Sequence, residues 1–299
     1  MIVNKRREIL FLYDVKDANP NGDPSDENKP RIDEETGINI VTDVRLKRTI
    51  RDYLFNYKGY NGEGDKDIFI RQTKSETKKG INDGKGRAKM FNNNKDIIIN
   101  KCVDMRLFGA VIPLENESKK EKDSKKGDKS ITFTGPVQFK MGRSLHRVEM
   151  KHIRGTGAFA SKLDAQQETF REEYVLPYSL IAFYGIINEN AAQQTKMTED
   201  DYALLLESIW DGTRNLITRS KMEHNPRLLL TIEHDKPEYF IGELDRHIKL
   251  IKKDDIRDEQ IRDIEEIAID MSTLKAKLSD NSKAVIYKKD DRLNLLNWD

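Results

Sequence analysis

Two segments of this 299-residue chain set cations among apolar side chains in a way that suits a phosphate chain. The first, Thr42-Asp-Val-Arg-Leu-Lys-Arg-Thr-Ile-Arg-Asp-Tyr-Leu54, carries Arg45, Lys47, Arg48 and Arg51 against Asp43 and Asp52. On a helix, Lys47 and Arg51 are four apart and share one flank beside the apolar face, where two cations can grip neighbouring phosphates. The plain alternative is a solvated charged face. The second segment runs from Lys140 to Arg154 and combines Lys140, Arg143, Arg147, Lys151 and Arg154 with Met141, Leu145 and Met150. Cations interleaved with apolar wedges can hold a backbone while prising bases apart. An exposed basic hairpin without a partner is the competing reading. His146 and His152 lie in this segment and are candidates for general acid and base in RNA cleavage, although isolated histidines in a basic stretch are more often ordinary donors.

A polar loop precedes the basic helix. Asp17-Ala-Asn-Pro-Asn-Gly-Asp23 imitates the opening of a calcium loop, but its twelfth position is Asn28 rather than a bidentate glutamate, and Pro20 stiffens it. A rigid turn is expected instead, with Gly22 free to take positive φ and with Asn19 and Asn21 offering hydrogen bonds to a backbone or a base. His224 and His234 fit no ligand pattern, and neither HExxH nor a phosphate-cradling glycine motif is present. No metal or other cofactor is expected.

Composition restricts the remaining possibilities. Apolar residues make up 36% and charged ones 35%, which supports one core with long solvated excursions. Lys and Arg total 53 against 52 acidic residues, a net charge of +1, so any nucleic-acid site must come from local clustering. The single cysteine, Cys102, excludes an internal disulfide and a cysteine-based zinc site. No apolar run reaches the roughly 20 residues that cross a bilayer. A soluble, cytoplasmic protein with no membrane partner is the expectation.

The elements that must position these groups can be read in order. Ile9 to Val15 is a continuous apolar run expected to form a central strand. The helix from about Thr42 to Tyr57 places Leu46, Ile50, Tyr53, Leu54 and Tyr57 on one face, with Thr42 as its cap. From Lys58 to Asn94 the chain turns polar and reads as an excursion from the core; order returns at Ile97 to Ile99 and Val103 to Gly109, and 116–130 is expected to be mobile when free. Ile131 to Phe139 reads as a strand kinked at Gly135-Pro136, and Tyr174 to Ile187 as another. Thr198-Glu-Asp-Asp201 opens a second helix reaching towards Ile217, and Arg227 to Ile232 is the last core strand. Ile261, Ile264, Ile267, Met271, Leu274 and Leu278 have helical spacing, so 243–299 is expected to be a helical extension. Without the insertions, the order is βαββαβ. That is the ferredoxin-like, α+β unit of RNA-recognition modules, whose sheet face meets single-stranded RNA.

The residues also carry a resemblance. Tyr13-Asp-Val-Lys-Asp-Ala-Asn-Pro-Asn-Gly-Asp-Pro24, Pro30-Arg-Ile-Asp33, Val41-Thr-Asp-Val-Arg-Leu-Lys-Arg48, Asp104-Met-Arg-Leu-Phe-Gly109, Gly135-Pro-Val-Gln138 and Val175-Leu-Pro-Tyr178 closely resemble the backbone subunit of type I CRISPR surveillance (Cascade) complexes. That subunit belongs to the RAMP superfamily, and the branch resembled is subtype I-B, close to I-C. The resemblance implies a right hand: an RNA-recognition-like palm, a finger and web insertion (58–130), and a thumb (140–173). It implies a non-catalytic scaffold, several copies of which stack head to tail along one CRISPR RNA and leave guide bases free to pair with target DNA. Partners would be a large subunit, a guide-end capping subunit and a processing endonuclease. Lys47, Arg48 and Arg51 would hold guide phosphates on the palm, and Met141 or Leu145 would be the thumb wedge. Asn19, Asn21, Arg45, Gln138, Lys140, Arg143, His146 and Arg147 complete the RNA-binding set. Related type III backbone subunits cut RNA with a loop aspartate, so the alternative is an endoribonuclease using Asp14, Asp17, Asp23 or Asp33, or His146 and His152.

Overall fold

The computed structural model describes residues 1–74, 80–113, 130–160, 168–253 and 255–298. Most of the polar run 116–130 lies outside the described residues. The chain builds an eight-stranded, antiparallel main sheet whose strands are numbered here in chain order: β1 (Arg6–Ala18), β2 (Ile38–Val41), β3 (Val137–Phe139), β4 (Gly142–Arg147), β5 (Lys151–Ala160), β6 (Glu168–Ile187), β7 (His224–His234) and β8 (Ser282–Lys289). They lie in the order β8-β7-β1-β6-β4-β2, while β3 and β5 pair with β6 at different points along its length. β1 is central because both its neighbours are long: Phe11 faces Phe183 of β6 on one side and Leu229 of β7 on the other.

Alternation along β1 divides the core. Ile9, Phe11, Tyr13 and Val15 point to one face, under α1 (Asp43–Tyr57) and α2 (Glu199–Arg214), where they meet Ile50, Leu54, Leu205 and Ile209. Leu10 and Leu12 point to the other face. Each long helix begins at the threonine expected. Thr42 accepts the amide of Arg45, and Thr198 forms a reciprocal capping box with Asp201.

The second face of the sheet is closed. Leu228, Leu230 and Ile232 join Leu10 and Leu12 beneath Leu244, Ile261, Ile264, Ile267, Ile269 and Leu274. An RNA-recognition module leaves this face open; here residues beyond 240 cover it. The expected helix over 261–278 is not formed. Its apolar positions are buried except for the partly buried Leu278, but they lie on or beside 3-10 turns, a strand (Ile267–Asp270) and a six-residue helix (Ser272–Lys277). Non-local partners decide this. Ile267–Asp270 is flanked by Lys249–Lys252 and Asn294–Leu296, which supply the ladder that the β-branched Ile267 and Ile269 favour.

Two further expectations are corrected. Ile131 to Phe139 is two strands in separate sheets, because Ser130–Thr134 pairs with Gly109–Pro113 while β3 joins the main sheet. Gly135 sits at the break, where a Cβ would lie 2.0 Å from the carbonyl carbon of Phe108. Gly22 does not adopt positive φ. It is required by close approach instead, since a Cβ would lie 2.1 Å from Asn28 Oδ1. The 58–130 excursion has its own apolar cluster, built on Phe69, Phe91, Ile98, Ile99, Met105, Ile112 and Phe133. No described helix is long and apolar enough to cross a membrane.

Candidate nucleic-acid interface

β3 and β4 form nearly one strand against β6. Gly185 pairs with Phe139 and Ala182 with Arg143, so the sum of partner numbers moves from 324 to 325 and one extra residue is accommodated at Lys140-Met141. The bulge turns both of these side chains outward. Gln138, Lys140, Met141, Arg143 and Arg147 are all exposed, while Phe139, Gly142, Ser144 and His146 face inward. Met141, at 54% exposure, is an apolar side chain set among cations.

The cations on this strand are loosely held. Lys140 lies 3.6 Å from Asp245, Arg143 3.7 Å from Asp33, and Arg147 3.5 Å from Glu259. Exposed ion pairs at such distances contribute little and exchange readily with a phosphate. Beyond Arg147 the chain leaves the sheet as the β5–β6 hairpin, in which residues 168–175 pair with β5. Of the 140–173 segment, the first eight residues therefore lie in line with β3 or on β4, and the hairpin that β5 makes with the first part of β6 begins after them. Near its base the rings of His152 and Tyr174 stack with centroids 4.5 Å apart, and Tyr174 donates to Glu27 Oε2.

The α1 cations are arranged differently from expectation. Arg51 is not on the surface: it is buried and donates to Asp104 Oδ2 at 2.9 Å, with its guanidinium over Phe108. Asp104 also accepts the amides of Phe69 and Ile70, so this pair fastens the 58–130 unit to α1. Lys47 is half-buried against Asp43 at 3.0 Å and faces the same phenylalanine. Only Arg48 of the expected trio is fully exposed, in a pair with Asp52. The flank that was to grip phosphates packs instead against Val103–Phe108.

The two loop asparagines bind backbone and cap rather than standing open. Asn21 Oδ1 accepts from both the amide and the hydroxyl of Thr42 at 2.9 Å, locking the start of α1 to the loop. Asn19 is buried and donates to the carbonyl of Asn28. Arg45 leans into a crevice between α1 and β7, where His224 also points.

His146 does not face solvent either. It is 2% exposed, stacks on Tyr178, and burial pushes its pKa below the usual histidine range. Its Nε2 accepts the amide of Leu180, which leaves the Nδ1 proton for the carbonyl of Arg147. It is a neutral core imidazole whose two nitrogens are both engaged, and it is neither a phosphate ligand nor a free base. Three of the four loop carboxylates are similarly committed, while Asp17 is exposed. Asp14 is buried on Arg227 at 2.8 Å and accepts from Tyr178; Asp23 holds Ser25 and Arg31; Asp33 accepts the amides of Glu35 and Thr36. Among the described residues no group of three potential ligands is placed to hold a metal.

Lys221 carries no signal in the sequence and His224 fits no ligand pattern there, yet the fold brings both to Arg45. Spacing gives no signal for them. Lys221 lies in a turn more than 160 residues from Arg45, and only the pairing of β7 with β1 brings the two together.

The architecture defines an α+β protein whose large antiparallel sheet is covered on both faces and carries an outward cationic strand beside a long hairpin. Residues 5–272 match the family model for the CRISPR-associated protein Cas7. The CRISPR-associated protein Cas7 of Haloferax volcanii is 30% identical over 291 residues, covering 92% of this chain and 83% of that protein. The chain belongs to the Cas7 family. Among solved structures, a chain of a CRISPR RNA-guided surveillance complex in a pre-nicking state aligns with a TM-score of 0.49 at 10% identity, covering 79% of this chain and 80% of that one. A chain of a second CRISPR RNA-guided surveillance complex aligns with a TM-score of 0.48 at 15% identity, covering 98% and 94%.

Proposed function

We propose that this chain is a non-catalytic, RNA-binding backbone subunit of a type I Cascade complex, of the subtype I-B branch with I-C close by, working in the cytoplasm. Several copies assemble head to tail along one CRISPR RNA and leave guide bases free to pair with invading DNA. A large subunit, a guide-end capping subunit and a processing endonuclease complete the assembly. Beyond family membership, the observation that carries this reading is the outward row of Gln138, Lys140, Met141, Arg143 and Arg147, whose cations have only long, exchangeable ion pairs. The strand order β7-β1-β6 with β3 and β4 beyond it, under two helices, supports a ferredoxin-like palm. On this reading the β5–β6 hairpin is the thumb, residues 58–130 are finger and web, and Met141 is the apolar wedge nearest the thumb's base. The commitment of Asp14, Asp23 and Asp33 to arginines, a hydroxyl and backbone amides, together with the burial of His146, leaves Asp17 and His152 as the exposed candidates and favours a scaffold over an endoribonuclease.

The test is end-labelled single-stranded RNA incubated with purified protein and resolved in parallel on native and denaturing gels. A ladder of slower native bands with intact RNA is expected. Replacing Arg143 and Arg147 with methionine should lower the affinity and flatten its salt dependence by about 0.7 per lost phosphate contact on logarithmic axes. RNA that is shortened by the wild type and spared by Asp23→Ala, Asp33→Ala or His152→Ala would overturn the scaffold reading.

A further inference from the structure

The fold withdraws several arginines from solvent and gives almost all of them a carboxylate. Arg7, Arg51, Arg87, Arg106 and Arg227 each meet one within 2.9 Å. Among the described residues Arg45 and Lys221 form no such pair, although both are half-buried. Arg45 Nη2 donates to Thr49 Oγ1 at 3.1 Å, and its Nε is buried without an acceptor. The Lys221 ammonium donates to the carbonyl of Asn19 at 2.6 Å and lies 3.4 Å from that of Pro20. Beside them His224 is 3% exposed and stacks on Tyr13 with centroids 5.8 Å apart; the backbone of Lys221 is a polar neighbour of its ring, but neither ring nitrogen makes a hydrogen bond of good geometry. Arg45, His224 and Pro20 line one crevice of about 10 Å³, which is room for a single oxygen-sized group.

Two half-buried cations with no carboxylate in direct contact are costly, Arg45 feeling only the more distant charge of Asp52, and so is a buried imidazole without a well-formed hydrogen bond. One external group removes both costs. We propose that the crevice is a phosphate site in which one phosphate oxygen enters between Arg45 and His224, while Lys221 adds its charge from behind the Asn19-Pro20 turn. Arg45 contributes its free Nε–H. His224 contributes the single N–H of a neutral imidazole, since burial and the two neighbouring cations hold its pKa down to about 3. Tyr13, Val41, Leu46 and Phe183 form the apolar part of the lining, and the low dielectric they provide strengthens both bonds. A phosphodiester of a bound strand and free inorganic phosphate share this chemistry. The strand is favoured because Arg45 sits one helical turn beyond the Thr42 cap that Asn21 ties to the loop. That choice of source rests on the RNA-binding reading above, whereas the anion site itself does not.

The experiment compares thermal unfolding in inorganic phosphate and in chloride at matched ionic strength, for the wild type, Arg45→Gln, Lys221→Met, His224→Phe and His224→Gln. Salt-dependent RNA affinity is measured on the same proteins. A saturable rise in Tm specific to phosphate is expected for the wild type, lost in Arg45→Gln and His224→Phe and largely kept in His224→Gln, which retains a donor. The RNA salt slope should fall by about 0.7 in Arg45→Gln if a strand phosphate is the occupant. Loss of the phosphate response with an unchanged RNA slope would assign the site to a free anion and overturn the strand assignment. No phosphate-specific rise in the wild type, together with wild-type RNA slopes in Arg45→Gln and Lys221→Met, would overturn the site while leaving RNA binding intact. A phosphate response in a protein that binds no RNA would uphold the site and remove the reading of its occupant as RNA.

Discussion

At the scale of single residues, the environment rather than the residue type decides what each charge does. His146 and His224 are both buried and uncharged, yet His146 has both nitrogens engaged whereas neither nitrogen of His224 makes a hydrogen bond of good geometry. The second case has a pH signature. With its folded-state pKa near 3 against an ordinary value of 6.5, His224 binds its proton in the unfolded chain first, so its contribution to stability is present above pH 6.5 and is lost as pH falls towards 3. Between pH 7 and pH 5 this amounts to about 2 kcal/mol. The difference in urea unfolding free energy between those two pH values should therefore be smaller in His224→Phe than in the wild type by roughly that amount. Equal differences would show that His224 is not buried neutral. Lys221 acts at the other end of the scale: burial, with Arg45 second, lowers its pKa to about 8, so its charge costs stability below pH 8 and that cost is relieved as pH rises from 8 towards 10.5.

At the scale of elements, α1 was legible and the role of its cations was not. Its cap and most of its apolar face follow from local pattern, with Leu46, Ile50, Tyr53 and Leu54 buried as the 3.6-residue period requires. Tyr57, in the last turn, stays exposed with its ring 5.3 Å from that of Tyr53. Whether Lys47 and Arg51 face solvent or protein depended on Val103–Phe108, some fifty residues away, and no local rule carries that information. Arg51→Met should accordingly cost about 3–5 kcal/mol in urea unfolding, because it leaves the Asp104 carboxylate buried without its cation. It should leave the RNA salt slope unchanged, the reverse of the Arg143 and Arg147 substitutions. A reduced slope with normal stability would return Arg51 to the interface.

At the scale of the whole molecule, the sheet needs both of its covers. Leu10, Leu12, Leu228, Leu230 and Ile232 form a wide apolar face that, among the described residues, is covered mainly by those beyond 240, and the buried Glu8 helps to pin that extension by accepting the amides of Ile241 and Gly242. A chain ending at residue 240 should therefore be expressed as insoluble protein or as a loosely packed state that binds a hydrophobic dye, whereas Ile269→Ala alone should cost about 2–5 kcal/mol and still fold. A soluble, cooperatively unfolding 1–240 chain would contradict this account of the core. By itself the sequence determined what short range controls: the central apolar strand, the two threonine-capped helices, the division of basic residues between two segments, and the motifs that mark the family. Tertiary structure alone decided which cations are free, that Lys221 and His224 join Arg45, and that Ile261 to Leu278 forms turns and a strand rather than a helix. In each of those cases the deciding partner lies far along the chain, and only pairing and packing, which a local period of 2 or 3.6 does not encode, bring it into contact.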